Sequence, residues 1–148
     1  MTSAHPAPLP FFVYGTLRPG GTYHDSHLRD ALATVVPARL PDAALHDGPG
    51  YPYAVAAPPP AEVLGDLVTV RPADHDALLA SLDALEEYAG PGDARNEYER
   101  VVREVLTPDG TAVPAWVYLA APRVADRLRR SGTPIAGGDW LAHAPAPG

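Results

Sequence analysis

The chain contains no cysteine. Disulfides, thiolate nucleophiles and cysteine-ligated zinc are therefore excluded. Basic charge is also scarce: 11 Lys and Arg stand against 18 Asp and Glu, a net charge of −7. With no cationic surplus to neutralise phosphates, a nucleic-acid partner is not expected. No apolar run approaches the ~18 residues of a membrane span. Met1 to Pro10 lacks a basic start followed by a long apolar stretch, so no signal peptide is expected. These absences predict a soluble cytoplasmic protein without a membrane partner. The one basic concentration, Arg123, Arg127, Arg129 and Arg130, has helical spacing and reads as a solvated helix face.

What the chain does have is 19 prolines and 13 glycines in 148 residues. They cluster without a repeat, and proline keeps much of the chain out of long helices and central strands. Apolar residues make up 46%, enough for one core. A single domain over 1–148 is expected, with its core over about 9–141 and both Ala/Pro/Gly-rich ends frayed.

Leu9 to Thr16 reads as a buried strand running into the turn-rich Leu17–Gly21. His24 to Leu32 suits a short helix. Thr34–Leu40, Ala43–His46 and Tyr53–Ala57 read as short strands, the first two broken by Pro37 and Pro41, with a turn over 47–50. Pro58 to Pro60 form a stiff spacer. Val63–Val70 is a further strand, in which Gly65 marks a bulge or a close backbone approach. Tyr98–Leu106 and Ala112–Ala120, joined by Pro108-Asp109-Gly110, predict a hairpin. Pro122–Arg130 is a weaker helix, and Trp140 is expected to pack a terminal segment on the core. Arg71 to Glu87 is the clear helix, with Pro72 in its first turn and Asp74 and Asp76 at its positive end. The class is α+β, a curved or closed sheet with a helix beside it.

Leu78, Leu79, Leu82 and Leu85 form one apolar stripe on that helix. At about 100° per residue, Glu86 falls on the same side, Glu87 points away and Asp83 lies at the border. An inward carboxylate is costly unless paired, protonated or used, and burial raises its pKa toward the range of a general acid/base. The other reading is a helix-end side chain that reaches solvent or pairs with Arg100 or Arg103. Similarly, Tyr14-Gly15-Thr16-Leu17 is either a plain strand end or a turn whose amides hold an anion, with Gly15 allowing close approach. It lacks a phosphate-loop pattern. His24 and His27 share a spacing but no third ligand, so no metal site is expected. The two adjacent glutamates point to different faces, which makes a glycosidase pair unsuitable. Tyr51, Tyr53, Trp116 and Tyr118 read as core or pocket wall.

Taken together, Phe12-Val13-Tyr14-Gly15-Thr16-Leu17-Arg18, Leu82-Asp83-Ala84-Leu85-Glu86-Glu87-Tyr88, Tyr98-Glu99-Arg100, Trp116-Val117-Tyr118 and Gly138-Asp139-Trp140 resemble the γ-glutamyl cyclotransferase-like family, which includes γ-glutamylamine cyclotransferases and AIG2-like proteins. The resemblance spans residues 11–140. It departs at Glu87, where the family pattern has glycine, and at Gly20–His24, which is only loosely similar to the γ-glutamylamine members.

The resemblance implies a small mixed β-barrel flanked by one main helix. It also implies a cofactor-independent enzyme of lyase or acyl-transfer type that releases 5-oxoproline and an amine from a small γ-glutamyl substrate. Glu86 would be the catalytic acid/base. Tyr14, Gly15, Thr16 and Leu17 would bind the substrate's α-carboxylate, with hydroxyls of Tyr14 or Tyr98 as further donors. No cofactor or metal is implied. A monomer or weak homodimer is expected. The alternative is a non-catalytic AIG2-like small-molecule binding protein.

Overall fold

The computed structural model describes residues 9–15, 32–47, 52–86, 88–131, 134–135 and 138–139. The expected helix over His24–Leu32, the turn over 47–50 and Trp140 lie wholly or mainly outside this set, as do His24, His27, Tyr51 and Glu87.

Five strands close a mixed barrel. They are β1 (Phe11–Val13), β5 (Glu62–Val70), β2 (Leu32–Pro41), β6 (Tyr98–Leu106) and β7 (Ala112–Ala120), in that spatial order. β7 returns to β1 in parallel through Phe11 and Trp116, and the other neighbours are antiparallel. β3 (Ala43–Asp47) and β4 (Pro52–Ala56) form a separate antiparallel ribbon. Two helices follow β5 and β7: α1 (His75–Leu85), entered through a 3-10 turn at Pro72–Asp74, and α2 (Pro122–Ser131). No helix among the described residues is long and apolar enough to cross a membrane.

The hairpin β6–β7 has the expected bounds. Its turn ends on Gly110 at φ +87°, a conformation that glycine adopts without a Cβ clash. β2 differs from expectation, because it runs through Pro37, which pairs with Asp66 of β5. A proline is tolerable where its missing N–H would face an unladdered edge. β2 meets β6 only at Arg39 and Leu106, so Pro37 sits on such an edge. The corner into β3 is taken by Asp42 at φ +59°, a conformation Asp tolerates better than most residues. At Gly65 the β2–β5 pairing is unbroken, so it is no bulge. A Cβ there would stand 2.4 Å from the Val13 carbonyl oxygen; the glycine serves the close approach of β1.

Alternation along the strands separates two apolar clusters. One joins Phe11, Val13, Val68 and Tyr118 to Leu78 and Leu82 of α1 and to Val124 and Leu128 of α2. The other joins Phe12, Tyr14, Leu67, Val105 and Val117 to Leu45 and Ala54 of the ribbon. α1 is shorter than the expected Arg71–Glu87. Arg71 pairs with Asp74 at 2.9 Å in the entry turn, and the α-helix ends at Leu85. His75, on its first turn, is buried against Phe11 (5.3 Å between ring centroids), with Nε2 donating to the Leu9 carbonyl at 2.9 Å. α2 is docked through Arg123, which bonds Glu97 at 3.0 Å. Glu97 in turn accepts from the Tyr53 hydroxyl at 2.8 Å. That part of the basic run is spent on the fold.

His46 of β3 is buried, with no hydrogen-bond partner on Nδ1 among the described residues. Burial, reinforced by the nearby Arg129 charge, lowers its pKa from 6.5. The folded state therefore binds fewer protons at His46 than the unfolded chain, and stability falls as pH drops below 6.5. The expected result is a urea midpoint that declines between pH 7 and 5 by more in the wild type than in His46→Leu. Equal declines would remove His46 as the cause.

Candidate functional site

β1 ends beside β7 and the ribbon, and its last side chains are fixed from both. The Tyr14 hydroxyl donates to the Tyr118 carbonyl and accepts the Ala54 N–H at 3.3 Å. Gly15 follows, buried, with the Pro52 ring against it; a Cβ at Gly15 would lie 2.8 Å from two ring carbons. Pro52 is held in turn by Tyr98, whose hydroxyl donates to its carbonyl at 2.7 Å, while the Tyr98 ring stacks on Tyr53 at 5.0 Å. The structure thus gathers Tyr14, Gly15 and Tyr98 about β4, Tyr14 at Ala54 and the other two at Pro52. Thr16 and Leu17 lie outside the described residues. Tyr98 is linked to Gly15 through Pro52, by a contact 46 residues away in sequence. No local pattern signals that contact.

Glu86 caps α1. Its N–H still bonds the Leu82 carbonyl at 2.9 Å, so it keeps the helical phase, but its backbone has left the helix (φ −89°, ψ 7°). Leu78 and Leu82 are buried and Leu79 and Leu85 partly so, which places the stripe against the barrel. Glu86 is half-buried on that side. Loss of hydration raises its carboxyl from 4.5 to about 7, the range in which one group can both accept and return a proton at neutral pH. Neither arginine proposed as a partner reaches it. Arg100 pairs with Asp83, and Arg103 donates to the Val102 carbonyl at 2.9 Å. Glu86 lies close enough to the Tyr14 and Tyr118 phenols to raise both electrostatically, after the larger effect of their burial. The cap of α1 and the end of β1 therefore share one corner.

The same corner holds a polar group that sequence reading left as core or border. Across the hairpin, Arg100 faces Tyr118 directly. Asp83 of α1 receives the Tyr118 hydroxyl at 2.6 Å and stands 2.9 Å from Arg100 Nε. The cross-strand register of β6 and β7 would have exposed this pairing, because facing residues on one side of a hairpin touch. The loop from α1 to β6 is closed by the buried Asn96. Its amide accepts the Ala89 N–H and donates to Gly90 and Glu99, each at 2.7 Å. Among the described residues, no cluster of three His, Asp or Glu could hold a metal ion.

Glu86 supplies one protonatable carboxyl near the phenols of Tyr14 and Tyr118, a group that can shuttle a proton. Residues 11–142 match the protein family described as γ-glutamyl cyclotransferase, AIG2-like. Over 108 residues the chain is 33% identical to the γ-L-glutamyl-butirosin B γ-glutamyl cyclotransferase of Niallia circulans; the match covers 73% of this chain and 64% of that protein. The fold is similar to that of an AIG2-like protein from Mus musculus, with a TM-score of 0.64 at 20% identity, covering 93% of this chain and 90% of the other. It is also similar to YkqA from Bacillus subtilis, with a TM-score of 0.65 at 21% identity, covering 91% of this chain but 40% of that one. The chain thus spans less than two thirds of both the Niallia circulans enzyme and YkqA. On the match across its whole barrel and both helices, the chain belongs to the γ-glutamyl cyclotransferase, AIG2-like family.

Proposed function

We propose that this protein is a γ-glutamyl cyclotransferase that converts a γ-glutamyl compound to 5-oxoproline and a free amine. The observation that carries the reading is the half-buried Glu86 carboxyl, poised at about 7 in the corner it shares with Tyr14. In the reaction the substrate's own α-amine attacks its γ-carbonyl. A C–N bond closes the five-membered lactam, and the C–N bond to the departing amine breaks. On going from α-ammonium to lactam N–H the attacking nitrogen gives up two protons. Glu86 relays them one at a time, and the departing nitrogen takes up both and leaves as an ammonium, so no proton is gained or lost overall. The nucleophile belongs to the substrate, which suits a chain without cysteine. Most of the barrier is met by folding the γ-glutamyl arm into its ring-closing pose. Amides of the Tyr14–Leu17 turn receive the α-carboxylate, and the Tyr98–Pro52 contact holds the ring that lies against Gly15.

The test is a panel of γ-glutamyl compounds: γ-glutamyl amino acids, glutathione-like peptides, the γ-glutamyl isopeptide of lysine, simple γ-glutamyl amines and γ-L-glutamyl-butirosin B. The last is chosen because the Niallia circulans relative acts on it. The expected result is 5-oxoproline release with an amine leaving group, and kcat/KM that rises with pH through about 7. Binding across the panel with no 5-oxoproline would instead identify a small-molecule binding protein.

A further inference from the structure

Asp83 lies one turn before Glu86, and its Oδ1 is the meeting point of two side chains from the hairpin. The Tyr118 hydroxyl donates to it at 2.6 Å, and Arg100 Nε lies 2.9 Å away. The Asp83 and Arg100 side chains are only 21% and 17% exposed. The Arg100 guanidinium lies 4.4 Å from the Trp116 ring centroid and 5.3 Å from that of Tyr88. Both faces offer the cation–π attraction that fixes an arginine in place. Tyr88 is itself held by its N–H to the Asp83 carbonyl at 2.9 Å. Asp83 and Tyr88, on either side of Glu86, are therefore both tied to the hairpin.

Among the described residues, the charges in this corner are few. Asp83, Arg100 and Glu86 all act electrostatically on the Tyr118 hydroxyl. Tyr14, just after β1, and Tyr118 from β7 are both raised by burial and stay neutral across the working pH range. That leaves Asp83 from α1 and Arg100 from β6 as the described charges that bear on the Glu86 corner. Alone, Arg100 would favour ionised Glu86 and Asp83 would oppose it. Burial alone accounts for the raised Glu86 carboxyl, which fits two charges that offset each other.

We propose that Asp83 and Arg100 are positioning residues for Glu86, a charge-balanced clamp that fixes the end of α1 while leaving the neighbouring carboxyl free to exchange its proton. The inference rests on the proposed role of Glu86 only for its catalytic consequence.

The test follows the Glu86 carboxyl by carbon-13 NMR, in the folded full chain, alongside kcat/KM against pH with an active γ-glutamyl substrate. Asp83→Asn keeps an acceptor for Tyr118 and removes the charge. It leaves Arg100 uncompensated, and the Glu86 midpoint is expected to move down by about one unit. Arg100→Met keeps an apolar stem over Trp116 and leaves Asp83 uncompensated, so the midpoint is expected to move up by about one unit. The double variant returns it toward the wild-type position. A merely structural pair would not give opposite shifts that cancel. Unmoved midpoints, or shifts of one sign in all variants, overturn the clamp. If Arg100→Met does not fold, Asp83→Asn decides alone: a downward shift supports the clamp, and any other result overturns it. If the NMR midpoints move as expected while the acid limb of kcat/KM stays still, the clamp stands and the acid/base role of Glu86 falls.

Discussion

Glu86→Gln is expected to lower kcat for 5-oxoproline release by about 10²- to 10⁴-fold, with substrate binding retained. Gln has nearly the shape of Glu and can keep the cap geometry at the end of α1, but it neither accepts nor donates the transferred proton. Because the α-carboxylate is assigned to amides of the Tyr14–Leu17 turn, calorimetric affinity for an unreacted γ-glutamyl compound should change little. A variant that binds and turns over like the wild type would dismiss Glu86. The same substitution carries a stability signature of defined sign. The carboxyl sits at about 7 in the fold against an ordinary 4.5, so the folded state holds more protons than the unfolded chain between those values. Its contribution is complete below 4.5 and is lost as pH rises through 7. At pH 8 the ionised group is a burden, which Gln removes. For a half-buried, solvent-screened site the expected gain is about 1 kcal/mol. A more stable but inactive protein at pH 8 would mark Glu86 as a group kept at the expense of stability.

Gly65→Ala is expected to cost at least about 3 kcal/mol, the upper range for forcing extra atoms into a packed interior. The added Cβ would sit 2.4 Å from the Val13 carbonyl oxygen and 2.8 Å from Phe12 Cζ. The oxygen belongs to backbone, so it cannot swing aside. β1 and β5 are in register here, with Val13 against Asp66 and Phe12 against Leu67. Relief therefore means moving β1, and with it Tyr14 and Gly15. The contrast is Gly110→Ala in the β6–β7 turn. There φ is +87° but nothing lies within 4 Å of the new Cβ, so only backbone strain of about 1 kcal/mol remains. Urea midpoints for the two variants separate crowding from strain. Equal losses would mean that β1 and β5 are not in close contact at Gly65.

Much of this was legible along the chain because local chemistry set it. β6 and β7 have the bounds that alternation and Pro108-Asp109-Gly110 implied, since a tight turn fixes register for both strands. The inward phase of Glu86 followed from four leucines. The end of α1 did not, because Glu86 and Glu87 are good helix formers. Long-range contacts secure the segment beyond it, with Arg100 beside Tyr88 and Asn96 holding Ala89 and Gly90. Pro37 hid the length of β2, because whether a proline breaks a strand depends on which edge its nitrogen faces. The partners of Asp83 and Tyr98 were equally hidden. One needs the facing of Arg100 and Tyr118 across the hairpin, and the other needs the ribbon folded back until Pro52 meets Tyr98.

The three-residue β1 has a consequence for the order in which this protein acquires its activity. Phe11 meets Trp116 in parallel, the Trp116 N–H bonds the Pro10 carbonyl at 2.9 Å, and Tyr14 reaches the carbonyl of Tyr118 across 104 positions. Contacts so distant in sequence are late events in folding, because the entropy of closing the intervening loop must be met first. One wall of the corner proposed for catalysis is therefore assembled only when the two ends of the barrel find each other. A chain still emerging from the ribosome, with β6 formed and β7 incomplete, has Glu86 but no corner to place it in. If Glu86 acts as proposed, activity arrives together with barrel closure, and protection of the Trp116 amide from hydrogen exchange should rise at the same rate as activity during refolding.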